Sequence, residues 1–160
     1  MLNFDNADIY EVIRVMADMM NVNYIIDPRV KGVVNIRTSG QIYQRDIFPI
    51  FQTILKMNGA VAVQKGTLYE VVPFGEAKKL FTRPTTGREG DRTQDEKYTI
   101  QIITLKFIPS TEVSKMIKPF LSDGADIVEY PQQNMLIVGD LASNIQKSLD
   151  IIGLFDEDIF

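Results

Sequence analysis

Apolar residues recur along the first part of the chain at two different spacings. Over residues 8–20 they fall three and four residues apart, which predicts an amphipathic helix that begins after Asp8. Residues 23–38 instead hold two short β-branched stretches on either side of residues 27–32, where Pro28 stiffens the backbone and Gly32 frees it. This pattern predicts a strand, a rigid turn and a second strand, which we interpret as a hairpin-like unit at the centre of a small sheet.

Helix and strand patterns continue to alternate along the rest of the chain. Residues 45–58 predict a helix that ends at Asn58-Gly59, and residues 61–72 predict a hairpin with Gly66 in its turn. After residue 97 the pattern is a strand, a helix, two strands joined by a Pro-containing turn, and a final helix. The order predicts an α+β fold of two small modules, each a two-layer arrangement of two helices against small mixed β-sheets.

The stretch between the two modules breaks both periodic patterns. It is rich in Thr, Gly, Pro and charged residues of both signs. Few of its side chains can offset the entropy of ordering, about 1–2 kcal/mol per residue. We therefore predict a first module at residues 1–74, a flexible linker at residues 75–97 and a second module at residues 98–160.

Composition narrows the possible chemistry. The chain has no Cys and no His, which excludes disulfides and thiolate sites and removes the commonest general base and metal ligand. Asp5 and Asp8 could pair for acid–base chemistry, but helix capping explains them better. A net charge of -4 argues against a nucleic-acid surface. We predict no catalytic residue, no cofactor, no metal ion and no transmembrane helix, and we expect the partners to be proteins.

Several motifs in the right order resemble the secretins, the ring-forming outer-membrane channels of bacterial type II secretion and type IV pilus systems. In the first module they are FDNADI at residues 4–9, IIDPRVKG at residues 25–32, Asn58-Gly59 and Val72-Pro73. In the second module the matching motif is YPQQNMLIVGD at residues 130–140, followed by Asn144-Ile145. The resemblance covers nearly the whole chain apart from the stretch between the modules, and it is closest to the N-terminal periplasmic domains of GspD-like type II secretins.

The resemblance implies a scaffold and docking role in protein export. The first module, which TonB-dependent transducers share, would meet the inner-membrane assembly protein, and the second would pack against its copies in a ring. Exported substrate proteins are further candidate partners. The implied location is the periplasmic portion of an outer-membrane protein, with the signal peptide and barrel region absent from this fragment. A type IV pilus secretin and a transducer signalling domain stay open as alternatives.

The candidate binding site is the edge of the first predicted sheet, because an unpaired strand can accept a strand of another protein. We predict that this edge is formed by six residues on two strands. They are Asn3, Phe4, Val34, Asn35, Ile36 and Arg37. For Phe4 and Ile36, a position in the sheet interior is the alternative.

Overall fold

The computed structural model describes residues 2–75 and 97–157, which form two compact units. The first unit holds Asn3–Asn35 and the described residues from 42 to 75. The second holds Leu2, Ile36–Gln41 and residues 97–157. The linker predicted at residues 75–97 lies outside the described residues except for its two ends, and its character stays a prediction.

The first unit alternates strands and helices in the predicted order. Its elements are β1 (Phe4–Asp8), α1 (Ile9–Met20), β2 (Asn23–Ile26), the beginning of β3 (Val33–Ser39), α2 (Ile47–Met57), β4 (Ala60–Lys65) and β5 (Leu68–Pro73). A 3₁₀ turn at Gln44–Asp46 leads into α2. Strand β5 lies between β2 and β4 in a mixed sheet, parallel to β2 and antiparallel to β4.

Helix α1 begins and ends where its sequence predicts. The Asp8 carboxylate accepts the backbone N–H of Tyr10 at 2.9 Å, as an N-cap does. Asn21 ends the helix in the left-handed conformation with φ 56°. The predicted apolar stripe forms the buried face of α1, and its buried members are Ile9, Val12, Ile13, Met16 and Ala17. The opposite face of α1 is polar, so the apolar stripe packs into the hydrophobic core. Burial of such apolar side chains is the main favourable contribution to folding.

The interpretation of residues 23–38 as a hairpin-like unit is wrong. Strand β2 pairs with β5, whereas β3 pairs with β6 (Tyr98–Thr104). Strands β2 and β3 therefore belong to different sheets. The turn itself forms: the N–H of Val30 donates to the carbonyl oxygen of Asp27 at 3.0 Å. Gly32 then accepts the N–H of Ile9 at 3.0 Å, which holds the connection against the start of α1 and directs β3 away from β2.

The second unit follows the predicted order of strand, helix, two strands and helix. Its elements are β6 (Tyr98–Thr104), α3 (Ser110–Ile117), β7 (Asp126–Tyr130), β8 (Met135–Leu141) and α4 (Ala142–Phe155). Residues Ile36–Ser39 of β3 pair in parallel with Ile100–Ile103 of β6. Strand β8 lies antiparallel between β6 and β7. Pro119 falls in a 3₁₀ turn at Lys118–Phe120, so α3 ends before it, as expected of proline.

The second unit has its own hydrophobic core between its sheet and its two helices. The buried members are Ile103, Leu105, Val113, Ile117, Leu136, Val138, Ile145 and Ile152. They come from β6 and the residue after it, from β8 and from both helices, so the core joins the two layers. Within the described part of the chain the fold therefore has four α-helices and two mixed sheets, and the predicted α+β class is confirmed.

Candidate partner-binding surface

Strand β1 is the outermost strand on one side of its sheet, so Asn3 and Phe4 lie at a sheet edge as predicted. Asn3 is exposed and Phe4 is half-buried. Asn6 interrupts the strand with φ 53°, and its N–H donates to the Oδ1 atom of Asn35 at 2.8 Å. A side chain of β3 thus supplies a bond that a regular ladder would take from the backbone, which keeps β1 beside β3 despite the irregular residue.

Strand β3 is not an exposed edge, and that part of the prediction is corrected. It lies between β1 and β6, because Ile36 and Arg37 pair with Ile100 and Gln101 of β6. The side chains of Val34 and Ile36 are only 2% and 0% exposed, so sheet interior is the right reading for Ile36.

The six predicted residues therefore divide into accessible and enclosed ones. Asn35 is half-buried beside β1, and Arg37 presents an exposed side chain. Asn3 and Arg37 are the accessible members of the set, whereas Val34 and Ile36 are enclosed. Which of the six contact a partner stays a prediction.

The polar residues of the second-module motif hold loops in place. Asn134 takes φ 50°, and its Oδ1 atom accepts the N–H of Ser110 at 2.7 Å, while its Nδ2 atom donates to the carbonyl oxygen of Ile108 at 3.1 Å. The fully buried Asp140 accepts the N–H of Ser122 at 2.9 Å and the Nδ2 group of Asn144 at 3.3 Å. The side chains of Asn134 and Asp140 are thus paired, and these motif residues have a structural explanation.

Two aspartates have lowered pKa values because of local hydrogen bonds. The Arg29 guanidinium and the Arg29 backbone N–H both donate to the Asp27 carboxylate, which lowers its pKa to about 2. Partial burial works to raise the pKa of Asp156, but backbone bonds from residues 106–108 outweigh it and hold that pKa below its ordinary value. Both carboxylates fasten backbone turns and have no reacting partner in these contacts.

Tyr98 is a partly buried titratable group within the second unit. Burial raises its pKa, and the neighbouring carboxylates of Asp126 and Asp140 raise it further. Its hydroxyl group donates to the Oδ2 atom of Asp126 at 3.2 Å. The phenol therefore stays protonated and serves as a hydrogen-bond donor in the sheet.

Other chemistry is sparse in the described residues. They contain no cluster of three or more carboxylates that could hold a metal ion, and no helix long and apolar enough to cross a bilayer. A cleft of about 400 Å³ lies beside the end of α3. Its lining residues are Lys118, Leu121, Ser122, Asp123, Ala125 and Ile127. The charged groups that line this cleft are the carboxylate of Asp123 and the ammonium group of Lys118. The cleft therefore lacks the pair of carboxylates that acid–base chemistry would use.

Comparison with known proteins shows which proteins the chain resembles. Residues 2–71 match the family model of the GspD-like N0 domain. The chain is 26% identical over 156 residues to the secretin XcpQ of Pseudomonas aeruginosa, in an alignment that covers 98% of this chain and 23% of XcpQ. The resemblance seen in the motifs is thereby confirmed: residues 2–71 match a GspD-like N0 domain, and the chain as a whole is similar to curated secretins. It spans about a quarter of the length of the curated relatives that it matches.

Two solved structures share the fold. The crystal structure of the N-terminal domain of XcpQ from Pseudomonas aeruginosa is similar with a TM-score of 0.74 at 22% identity, over 98% of this chain and 64% of that chain. A chain in the crystal structure of the GspC-GspD complex of enterotoxigenic Escherichia coli is similar with a TM-score of 0.61 at 17% identity, over 97% and 96% of the two chains. At these identities the likeness shows the fold alone.

Proposed function

We propose that this chain is the periplasmic scaffold and docking region of an outer-membrane secretin channel for type II protein secretion. In this role it contacts the inner-membrane assembly protein and neighbouring subunits of the same ring. The match of residues 2–71 to the GspD-like N0 domain carries the proposal, and it supports the type II system over the type IV pilus and transducer alternatives.

The first module is the proposed docking part. This chain shares its fold with one chain in the crystal structure of the GspC-GspD complex of enterotoxigenic Escherichia coli. That complex joins GspD to a second component of the type II secretion system, GspC. We infer a similar partner here, bound at the predicted edge residues, of which Asn3 and Arg37 are accessible. An edge strand offers backbone hydrogen bonds to a partner, and the exposed guanidinium group of Arg37 offers a positive charge.

The second module is the proposed ring-building part, with module boundaries at residues 74 and 98. Its strand β7 is the outermost strand of its sheet, which gives a neighbouring copy a sheet edge to pack against. The role is structural and not catalytic, and its place is the periplasm. Exported substrates would pass the assembled ring, and we assign them no residue of this chain.

The test of docking is a binding measurement with the periplasmic domain of the inner-membrane assembly protein from the same secretion system. Isothermal titration calorimetry would compare the wild-type chain with Arg37→Glu and with the control Lys56→Glu, an exposed position in the last turn of α2. Both substitutions change the net charge equally, so long-range electrostatics cancel in the comparison. We expect Arg37→Glu to weaken binding about tenfold or more and Lys56→Glu to have little effect.

The possible results separate the two levels of the proposal. Equal affinities of both variants and the wild type would refute a role of Arg37 in binding, but the proposed partner would remain. Absence of binding by the folded wild-type chain, checked by circular dichroism, would refute docking of the assembly protein itself.

A further inference from the structure

The edge strands of the two sheets differ in how they are protected. Among the strands that the structure describes, β1 and β7 end one sheet, and β2 and β4 end the other. Strands β1 and β7 each carry two acidic residues, and β4 carries Lys65. Strand β2 (Asn23–Ile26) has no charged residue. Charges on an edge strand disfavour the addition of an uncharged strand, so β2 is the edge that best suits an uncharged partner strand.

The opposite edge of the same sheet is closed by a side chain. Gln52 of α2 donates from its Nε2 atom to the carbonyl oxygen of Ala62 at 2.8 Å, and its Oε1 atom accepts the Ala62 N–H at 3.0 Å. The amide of Gln52 thus occupies both backbone groups of Ala62 in the way that a neighbouring strand would. A further strand could pair there only by displacing Gln52.

The free side of β2 follows from its pairing with β5. The N–H of Asp27 donates to the carbonyl oxygen of Val71 at 2.8 Å, in register with the pairing of Ile26 and Val71. Because the backbone groups of a strand point alternately to its two sides, those of Ile25 point towards β5, and those of Tyr24 and Ile26 point to the other side. No strand in the described part of the chain pairs with that side.

The side chain of Ile25 adds an apolar contact at this edge. It is 53% exposed, and its register partner on β5 is Glu70. Val63 of β4 is the other register partner of Glu70, so Ile25 and Val63 flank the same residue from the two edges of one sheet face. An incoming strand beside β2 would cover Ile25, which favours an apolar side chain opposite it.

We propose that β2 is a second docking edge, which accepts one extended and uncharged strand of a partner protein as the fourth strand of the sheet β2-β5-β4. An extended backbone is the occupant because the outward N–H and C=O groups of Tyr24 and Ile26 alternate with the spacing that only another strand matches. An uncharged segment fits because a charge beside Ile25 would lose water without gaining an ion pair. This edge belongs to a different sheet from the surface proposed above, so the two proposals stand or fall separately.

The test uses the full chain and a short peptide of alternating valine and threonine with blocked ends. Amide hydrogen exchange, followed by NMR with and without saturating peptide, reports on each backbone N–H. We expect the peptide to slow exchange of the Tyr24 and Ile26 amides at least about tenfold and to leave Ala62 unchanged, because Gln52 already occupies it. Peptide binding that leaves Tyr24 and Ile26 unprotected, or no peptide binding, would overturn the proposal.

Two matched variants test the role of the uncharged edge. Ile25→Lys places a charge on β2, and Val63→Lys, at a position 40% exposed, places the same charge on the other side of Glu70. We expect Ile25→Lys to weaken peptide binding about tenfold and Val63→Lys to leave it unchanged. Equal effects would contradict the assignment to β2. Protection of Tyr24 and Ile26 that rises with protein concentration in the absence of peptide would identify a second copy as the occupant and overturn the proposed partner strand.

Discussion

Gly40 and Thr104 approach each other so closely that the structure leaves no room for a side chain at residue 40. A Cβ atom built on Gly40 would lie 2.8 Å from the Cβ atom of Thr104 and 2.9 Å from its carbonyl oxygen. The Thr104 hydroxyl group donates to the carbonyl oxygen of Gln41 at 3.0 Å, and Gly40 takes φ 95°. These contacts fasten the end of β3 to the end of β6, just beyond the parallel pairing of Ser39 with Ile103.

The first prediction is that Gly40→Ala destabilises the fold by about 2–4 kcal/mol, since it adds steric overlap to backbone strain. Chemical denaturation followed by circular dichroism measures the free energy of unfolding. The control is Gly66→Ala in the β4–β5 turn, where φ is 64° and nothing lies within 4 Å of the added Cβ atom. That variant has only the backbone strain and should lose about 1 kcal/mol. Equal losses would show that contact with Thr104 contributes nothing.

The sequence predicts elements well here because their signals are local. The stripe from Ile9 to Ala17 repeats at the helical period, and Asp8 and Asn21 mark its ends within the same stretch of chain. The hairpin of β4 and β5 is equally local, since Gly66 lies between the two strands that pair. Such signals need no knowledge of distant residues, so periodicity and turn chemistry are sufficient.

Sheet membership could not be predicted because it depends on distant pairing. Val34 and Ile36 alternate with polar residues in the way that an edge strand or an interior strand would. Only the pairing of Ile36 with Ile100, on the far side of the stretch between the modules, makes β3 an interior strand. The role of Gln52 was likewise hidden, since a polar residue on a helix does not reveal that it caps Ala62. The absence of charged residues from β2 can be seen in the sequence, but the position of β2 at a sheet edge cannot be predicted from it.

The second prediction concerns Asn134, which combines a left-handed backbone with side-chain bonds to two loops. Asn134→Gly keeps the favoured conformation but removes the bonds to Ser110 and Ile108, so we expect a loss of about 1–3 kcal/mol in the free energy of unfolding. Asn21→Gly is the control, because Asn21 has nearly the same φ and makes its cap bonds with its backbone N–H. It should change stability by less than about 0.5 kcal/mol. A comparable loss in both variants would argue against the side-chain bonds of Asn134.

The third prediction is a titration. Hydrogen bonds from Arg29 lower the pKa of Asp27 from 3.8 to about 2, so its carboxyl resonance should shift near pH 2 in an NMR titration. In Arg29→Ala the pKa should return towards 3.8, because both the side-chain bonds and the guanidinium charge are lost. Since the folded pKa is the lower one, the stabilisation is present above pH 3.8 and is lost as the pH falls towards 2. An unchanged titration in Arg29→Ala would refute the pairing.

The fourth prediction concerns Asp156, which joins the end of α4 to the segment after β6. Its carboxylate accepts the N–H groups of Lys106 at 3.0 Å, Phe107 at 2.7 Å and Ile108 at 3.0 Å. Asp156→Asn keeps the shape but removes the charge from these bonds. At neutral pH we expect it to lose about 1–2 kcal/mol of the free energy of unfolding. Glu157→Gln removes the same charge at the neighbouring exposed residue and should have little effect.

The pH dependence of the Asp156 variant gives the sharper test. The pKa of Asp156 in the folded chain lies below its ordinary value of 3.8, so its contribution is present above that pH and is lost as the pH falls through the folded pKa. The difference in unfolding free energy between the wild type and Asp156→Asn should therefore be largest near neutral pH and should shrink below pH 3.8. Urea denaturation at a series of pH values measures it. A difference that stays constant through the acid range would mean that Asp156 acts through its shape and not through its charge.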